Sequence, residues 1–493
     1  MRRRPSSLAL QLLGPIALVG PLVLAGHKGI YLVIGLLSCA LVAVLFALSR
    51  RDVTTIVSIY IVLLIVLPSY LSIGDLGAAG TPTTIVGMAA LAWWLVSKIQ
   101  PDRPIATGRQ PIRIGLYIFS ASIALSFASA FSRQIPEVEI SAANRGVLEV
   151  LGLVGIAVLM ADGINTRERL DVVARRLVYW VAVLSTLGIV QFLTGSSFFE
   201  NLFTRLPGFS TAYIAPPITT RAGLRRVQAT SGSPIEFGLV LACVLPLAVH
   251  YAKQAPVGKR GRRWLCVFLI AVALPMSLAR TGFVGAAIAF VVMFVGWNAR
   301  ERIVAIGAVA MFALALRAAK PGLVGTIISL FTNAGTDPSV LHREEDLARA
   351  GFLVRQSLFF GRGFRTFIPS EFTPHGQPIA SLDNQYLGSL IETGIFGLAC
   401  LILLLLIWLF TALGARRRSR DPAVRELALG LAGSSLVIAF GLYVFDAFSF
   451  DQVSGVMFIL LGMTGALWRL VQQEESCAPI ETASSMAVPR ATT

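Results

Sequence analysis

The sequence predicts an all-α fold, a polytopic transmembrane helical bundle of about fourteen spans with two long outer loops. Three observations lead there. The 493 residues are 55% hydrophobic and only 14% charged, with a mean hydropathy of +0.75, whereas roughly a quarter of an ordinary soluble chain is charged. The apolar residues fall into runs of membrane-crossing length, for which about 20 residues are needed. These runs lack the period-2 alternation of a β-barrel, so the spans are read as helices that satisfy their own backbones.

In chain order the spans are expected at 7–26, 29–49, 53–72, 83–98, 112–131, 147–162, 177–194, 234–252, 264–279, 281–298, 303–319, 386–411, 427–447 and 453–470. The start, Met1-Arg2-Arg3-Arg4 before an apolar run, reads as an uncleaved first helix. The net charge of +16 would suggest nucleic acid in a soluble protein. Here the cations sit in short clusters between spans, at Arg50-Arg51, Lys98 to Arg113, Arg167 to Arg176, Lys253 to Arg263, Arg300 to Arg302 and Arg416 to Arg425. Placing both termini in the cytoplasm puts all of these inside, as the positive-inside bias requires. No nucleic-acid partner is expected.

This topology divides the chain into spans over 1–194, a first outer loop at 195–233, spans over 234–319, a second outer loop at 320–385, spans over 386–470 and a polar cytoplasmic tail at 471–493. The first loop is broken by Pro207-Gly208 and Pro216-Pro217; the second has one stretch of helical spacing, at 341–358. Cys39, Cys243, Cys266, Cys400 and Cys477 show no CxxC spacing, so neither a disulfide nor a metal site is expected. No cofactor is expected either, since glycine-rich phosphate cradles and Ser-His-Asp patterns are missing from the sequence.

What remains for chemistry is arginine and carboxylate on the outer face. Arg205, Arg221, Arg225 and Arg226 lie in the first loop, and Arg343, Arg349, Arg355, Arg362 and Arg365 in the second, against a single lysine, Lys320. A solvated face would explain charge alone, but the planar guanidinium fork suits phosphate in a way lysine does not. Arg280 falls between two apolar runs, where a charge is a functional candidate by default; snorkelling to the interface is the competing reading. Asp383 stands where the second loop enters a span. It reads either as a general base for an attacking hydroxyl or as a helix N-cap. Glu371 and His375 are the other acid–base candidates.

Asp383-Asn384-Gln385-Tyr386, followed by Glu392, Gly394 and Gly397, resembles the signature of the O-antigen ligase and O-antigen polymerase (Wzy-like) superfamily, in which His-Asn precedes the same glycine spacing. The segments Arg225-Arg226 through Ser233-Pro234 to Phe237-Gly238, Ser277 to Arg280, and Gly361-Arg362-Gly363-Phe364 are similar to that family in the same order, so the resemblance covers about residues 180 to 412. It implies an integral-membrane glycosyltransferase of the bacterial inner membrane, with its active site on the outer face. The implied substrates are a polyprenyl-diphosphate-linked glycan donor and a glycan or lipid acceptor, among membrane lipids. A chain-length regulator and a flippase of the same pathway are the implied protein partners. Arg225 or Arg226, Arg280, and Arg355 or Arg362 fit the diphosphate-handling role. The signature histidine is Asp383 here, which favours polymerisation of repeat units over ligation to a lipid or protein. A lipid-linked oligosaccharide flippase is the competitor from another class, and it would need charges lining a cavity between its halves.

Overall fold

The computed structural model describes residues 52–69, 71–73, 80–99, 110–196, 209–211, 218–221, 223–319, 321–332, 351, 353–355, 357–368 and 382–485. The helices are α1 (Val53–Val66), α2 (Pro82–Ile99), α3 (Pro111–Ala130), α4 (Glu137–Gly163), α5 (Arg167–Thr194), α6 (Pro234–Lys253), α7 (Val257–Met276), α8 (Arg280–Gly296), α9 (Ala299–Ala319), α10 (Pro321–Thr332), α11 (Gln385–Arg418), α12 (Pro422–Val444) and α13 (Asp451–Ser485). Two small antiparallel ribbons join them. Leu71–Ile73 (β1) pairs with Phe209–Thr211 (β2), and Thr219–Arg221 (β3) with Leu224–Arg226 (β4).

The expected count of about fourteen spans is corrected by the structure. Among the described residues seven helices are long and apolar enough to cross a membrane: α3, α4, α5, α6, α11, α12 and α13. Helices do stand at the other expected positions from residue 53 onward, but hydropathy alone overcounted them. α1 has 14 residues, about 21 Å at 1.5 Å per residue, against a hydrocarbon core of about 30 Å. α8, with 17 residues, is also short, and α7 carries Lys259, Arg260, Arg262 and Arg263 in its first two turns. The expected spans 7–26 and 29–49 lie outside the described residues, as does most of the helical stretch expected at 341–358. The last helix runs to Ser485, well past the span end expected at 470.

α4, α6, α12 and α13 are the most buried of these seven helices. α4 packs on α2 and α13; α6 packs on α7, α8 and α12; α11 packs on α3 and α12. Their buried apolar faces form one continuous core that includes Phe237, Leu241, Trp408, Met457 and Phe458. Transfer of such side chains from water is worth roughly 1.5–3 kcal/mol each, but in lipid that drive between helices is weak and close packing replaces it.

The two ends of the bundle differ in chemistry. At one end Asp162 is fully buried and takes Arg113 at 2.8 Å and Lys98 at 3.3 Å, Trp94 Nε1 donates to it at 3.0 Å, and His250 and Lys253 meet Glu426. Among the described residues, Lys98, Arg113, Arg167, Arg176 and Lys253 of the basic clusters lie at this end. The opposite end gathers the chain around Arg226, Ser277, Arg362, Asp383 and Asp446.

Candidate active site

The site is built on a break in α11. Gly394 has φ 69° and ψ −170° inside the helix, a conformation that only glycine adopts without strain. The break stops the helical hydrogen-bond ladder, and a loop that precedes α11 in sequence takes over the freed groups. Ile395 and Phe396 donate their N–H to the carbonyls of Leu358 and Phe359 at 2.9 and 3.2 Å. In return Arg362 and Gly363 donate to Ile391 and Glu392, both at 2.9 Å. Ser126 of α3 adds a hydroxyl bond to the Glu392 carbonyl at 2.8 Å.

This splice explains two separate glycine motifs at once. A Cβ on Gly361, itself at φ 71°, would lie 2.2 Å from the Glu392 carbonyl oxygen, and one on Gly394 would lie 2.3 Å from that of Phe359. The backbones cross too closely for any side chain. The Gly-x-Gly segment and the Gly394 signature are therefore two halves of one joint. Gly397 plays a local part, for the Thr393 side chain occupies the space beside it.

The joint aims two arginines. Arg362 reaches Glu139 at 3.2 Å, and Arg133, from the α3–α4 connection, reaches the other oxygen of the same carboxylate at 2.6 Å. Arg133 Nε also donates to the Arg362 carbonyl at 3.2 Å. Two guanidiniums share one carboxylate, so a net positive charge remains. Burial, with Arg133 alongside, holds the Arg362 guanidinium below its usual pKa. Arg365, at φ 60°, donates to Glu149 at 3.1 Å, to Ser449 Oγ at 2.9 Å and to the Phe448 carbonyl. Burial acts to lower its pKa, but Glu149, Asp446 and Glu392 outweigh burial and raise it. Asp446 is pushed up by burial; Arg365 and Ser449 oppose the rise and Asp383 adds to it. Beside these groups opens a narrow cleft of about 20 Å³, lined by Tyr60, Thr83, Glu149, Arg365 and Asp451 among others.

Asp383 does not cap α11. Asn384 does, its Oδ1 accepting from the Leu387 N–H at 3.1 Å. Asp383 stands just outside the helix, half-buried and within electrostatic reach of Asp446. The next residues hold the helix start in place. Gln385 accepts from the Phe448 N–H at 2.8 Å, and Tyr386 donates to the Ala439 carbonyl of α12 at 2.8 Å.

The first-loop arginines part company. Strand residues alternate between faces, and β4 sends Arg225 and Arg226 in different directions. Arg225 donates to the Phe192 and Leu193 carbonyls at the end of α5. Arg226 turns to the Ser277 carbonyl at 3.3 Å, next to the Val227 N–H bond to Met276. Arg280 opens α8 three residues beyond Ser277. Arg226 and Arg280 thus flank one turn, which Gly238 and Gly282 allow to sit tightly against α6. Ser233 caps α6 through the Glu236 N–H at 3.1 Å, and Glu236 reaches back to the Gly232 N–H at 2.7 Å, the capping-box exchange shifted by one residue. The other Glu236 oxygen accepts from Gln452 and Val453, so one buried carboxylate ties the first loop to the start of α13.

Of the residues singled out from sequence, Arg226, Arg280, Arg362, Asp383, Asn384, Tyr386, Glu392, Gly394 and Gly397 stand at this end of the bundle. Arg225 serves the α5 terminus there, Arg355 is exposed, and Glu371 and His375 lie outside the described residues. Arg133, Glu139, Glu149, Glu236 and Asp446 join the site without having been named above, and Arg365, named only among the second-loop arginines, joins it with them. Only Glu236 left a local trace, the Ser233-x-x-Glu236 spacing of a capping box.

A helical, largely membrane-embedded bundle with clustered arginines and carboxylates at one end is the class that fold and site define. Residues 265–402 match the family model for the O-antigen ligase domain, Wzy_C. The match holds the Ser277–Arg280 turn, the Gly361–Gly363 segment, Asp383-Asn384 and the Gly394 break, so the chain carries an O-antigen ligase-type domain over this part. The sequence matches no curated protein.

Proposed function

We propose that the protein is an integral-membrane glycosyltransferase that polymerises polyprenyl-diphosphate-linked oligosaccharide repeat units into a cell-surface polysaccharide. The observation that carries this reading is the convergence, at one end of the bundle, of the Arg226–Arg280 turn and the Gly361–Gly394 joint with Asp383 beside it. In the reaction the acceptor hydroxyl oxygen attacks the anomeric carbon of the donor glycan. The bond from that carbon to the diphosphate oxygen breaks, and polyprenyl diphosphate leaves with the electron pair. Asp383 takes the hydroxyl proton, and Arg226 and Arg280 stabilise the charge that develops on the departing diphosphate. Ligation of the glycan to a lipid or protein acceptor is the second reading, favoured by the description of the matched family; both share this chemistry and differ in the acceptor.

Arginine geometry gives the test of the diphosphate role. Arg226→Lys keeps the charge and loses the bidentate fork, so release of polyprenyl diphosphate and glycan transfer should fall together, by about 10- to 100-fold. Arg225→Lys, whose partners are helix carbonyls, should stay within a few-fold of the parent. Equal activity of the parent and the Arg226 and Arg280 lysine variants would remove the diphosphate site from this turn.

The same reading puts the site end outside and both termini in the cytoplasm. A cysteine at Ser210, in β2, should therefore react with an impermeant thiol reagent added to the outer side of intact spheroplasts. Protection of that position until the membrane is opened would invert the topology.

A further inference from the structure

At the end of the bundle remote from the site, an open groove of about 400 Å³ runs between the first halves of α5 and α7. Five cations line it: Arg175, Arg176, Lys259, Arg262 and Arg263. Among the described residues no carboxylate forms an ion pair with any of them. Three of them meet neutral groups. Arg262 lies over the Tyr179 ring at 5.5 Å, Arg175 over the Tyr251 ring at 5.9 Å, and Arg176 donates to Ser58. The positive-inside bias accounts for cations near this end, but not for their crowding along one cavity.

Helix physics makes the crowding more costly still. The start of α7 has no acidic residue in its first turn, and Pro256 provides no side-chain cap. Lys259, Arg260, Arg262 and Arg263 therefore add to the positive end of the helix dipole, which anions stabilise and cations do not. Apolar surface follows the groove's cations on the same helix. Along the outside of α7, Leu265 and Phe268 are 52% and 58% exposed, and the groove floor includes Val172, Val178 and Cys266. A ligand that satisfies both halves has a phosphate head and hydrocarbon chains.

We propose that this groove is a binding site for an anionic phospholipid, its phosphate held by Arg262, Arg263 and Lys259 and its acyl chains lying along Leu265 and Phe268. Basic pockets between membrane helices recognise such headgroups. This site is distinct from the one proposed for glycan transfer and stands without it.

The test is native mass spectrometry of the full-length protein titrated with phosphatidylglycerol, phosphatidylcholine or inorganic phosphate. Phosphatidylglycerol should be retained at least about tenfold better than phosphatidylcholine. Each cation near an anionic headgroup contributes on the order of fivefold in affinity, so the Arg262→Gln/Arg263→Gln variant should lose roughly 30-fold for phosphatidylglycerol. Arg262→Lys/Arg263→Lys should retain most of it and controls for folding. Arg300→Gln/Arg420→Gln removes the same charge from exposed positions outside the groove and should bind like the parent. The proposal fails if the groove variant binds like the parent, if the control loses as much as the groove variant, or if the lysine variant loses as much as the glutamine one. Displacement of the lipid by equimolar inorganic phosphate would assign the groove to a soluble anion instead.

Discussion

Asp383→Asn is expected to leave a folded protein with transfer activity reduced by about 10² to 10⁴, the usual worth of general-base assistance. The structure sharpens this expectation, because the competing cap role belongs to Asn384, whose Oδ1 holds the Leu387 N–H. Asp383→Asn therefore leaves the Asn384 cap bond in place, and the melting temperature should hardly move. Asn384→Ala makes the opposite pattern: a stability loss of about 0.5–2 kcal/mol and an activity loss no larger than the displaced helix start causes. Rates and melting curves on the two purified variants separate the roles. If Asp383→Asn transfers glycan at the parental rate, the proton goes elsewhere, and Asp446, which neighbours both Asp383 and Arg365, becomes the first group to replace.

The second large effect belongs to the joint between the loop and α11. Gly394→Ala forces a Cβ to within 2.3 Å of the Phe359 carbonyl oxygen at φ 69° and ψ −170°, a region essentially confined to glycine, where a side chain costs about 1–3 kcal/mol. The clash cannot be relieved by a side-chain rotation, because the obstructing atom is backbone. Four backbone hydrogen bonds cross the joint, each worth about 0.5–1.5 kcal/mol net, so destabilisation of several kcal/mol and near-complete loss of activity are expected. Gly361→Ala should do the same, and the double variant should be scarcely worse than either, since one broken joint cannot be broken twice. Gly388→Ala supplies the contrast. Its Cβ would meet nothing closer than 3.6 Å, so it should fold at least as well as the parent. Additive losses in the Gly361 and Gly394 variants, measured by thermal unfolding in detergent, would contradict the joint.

The sequence shows plainly where the helices lie and less plainly what they are. Apolar runs marked α3 and α12 to within a few residues, because burial in lipid needs continuous hydropathy. Membrane-crossing length was overread at α1 and α8, where an apolar run ends before it spans a bilayer. The glycine spacing around Gly394 stood out as a pattern, but its cause is a backbone exchange with residues 358–363, some 30 positions earlier, and no local periodicity reports a contact of that kind. Asp383 and Asn384 could both cap on composition; only the backbone shows that the helix begins one residue after Asn384. Arg225 and Arg226 were equivalent in sequence and became different once β4 sent them in different directions. Glu149 falls inside the expected span 147–162 and Glu139 in the stretch before it, and neither left a mark beyond its charge, so the two ion-paired groups around Arg362 and Arg365 emerged only with the fold.

The central claim, that this bundle forms glycosidic bonds from a lipid-linked donor, is tested most directly by reconstituting the purified protein in vesicles with a defined polyprenyl-diphosphate-linked repeat unit and separating the lipid-linked products by size. The account predicts a ladder of longer lipid-linked glycans with one polyprenyl diphosphate released for each bond formed, abolished by Asp383→Asn. Unchanged donor length accompanied by its movement from one leaflet to the other would contradict it and make the protein a flippase.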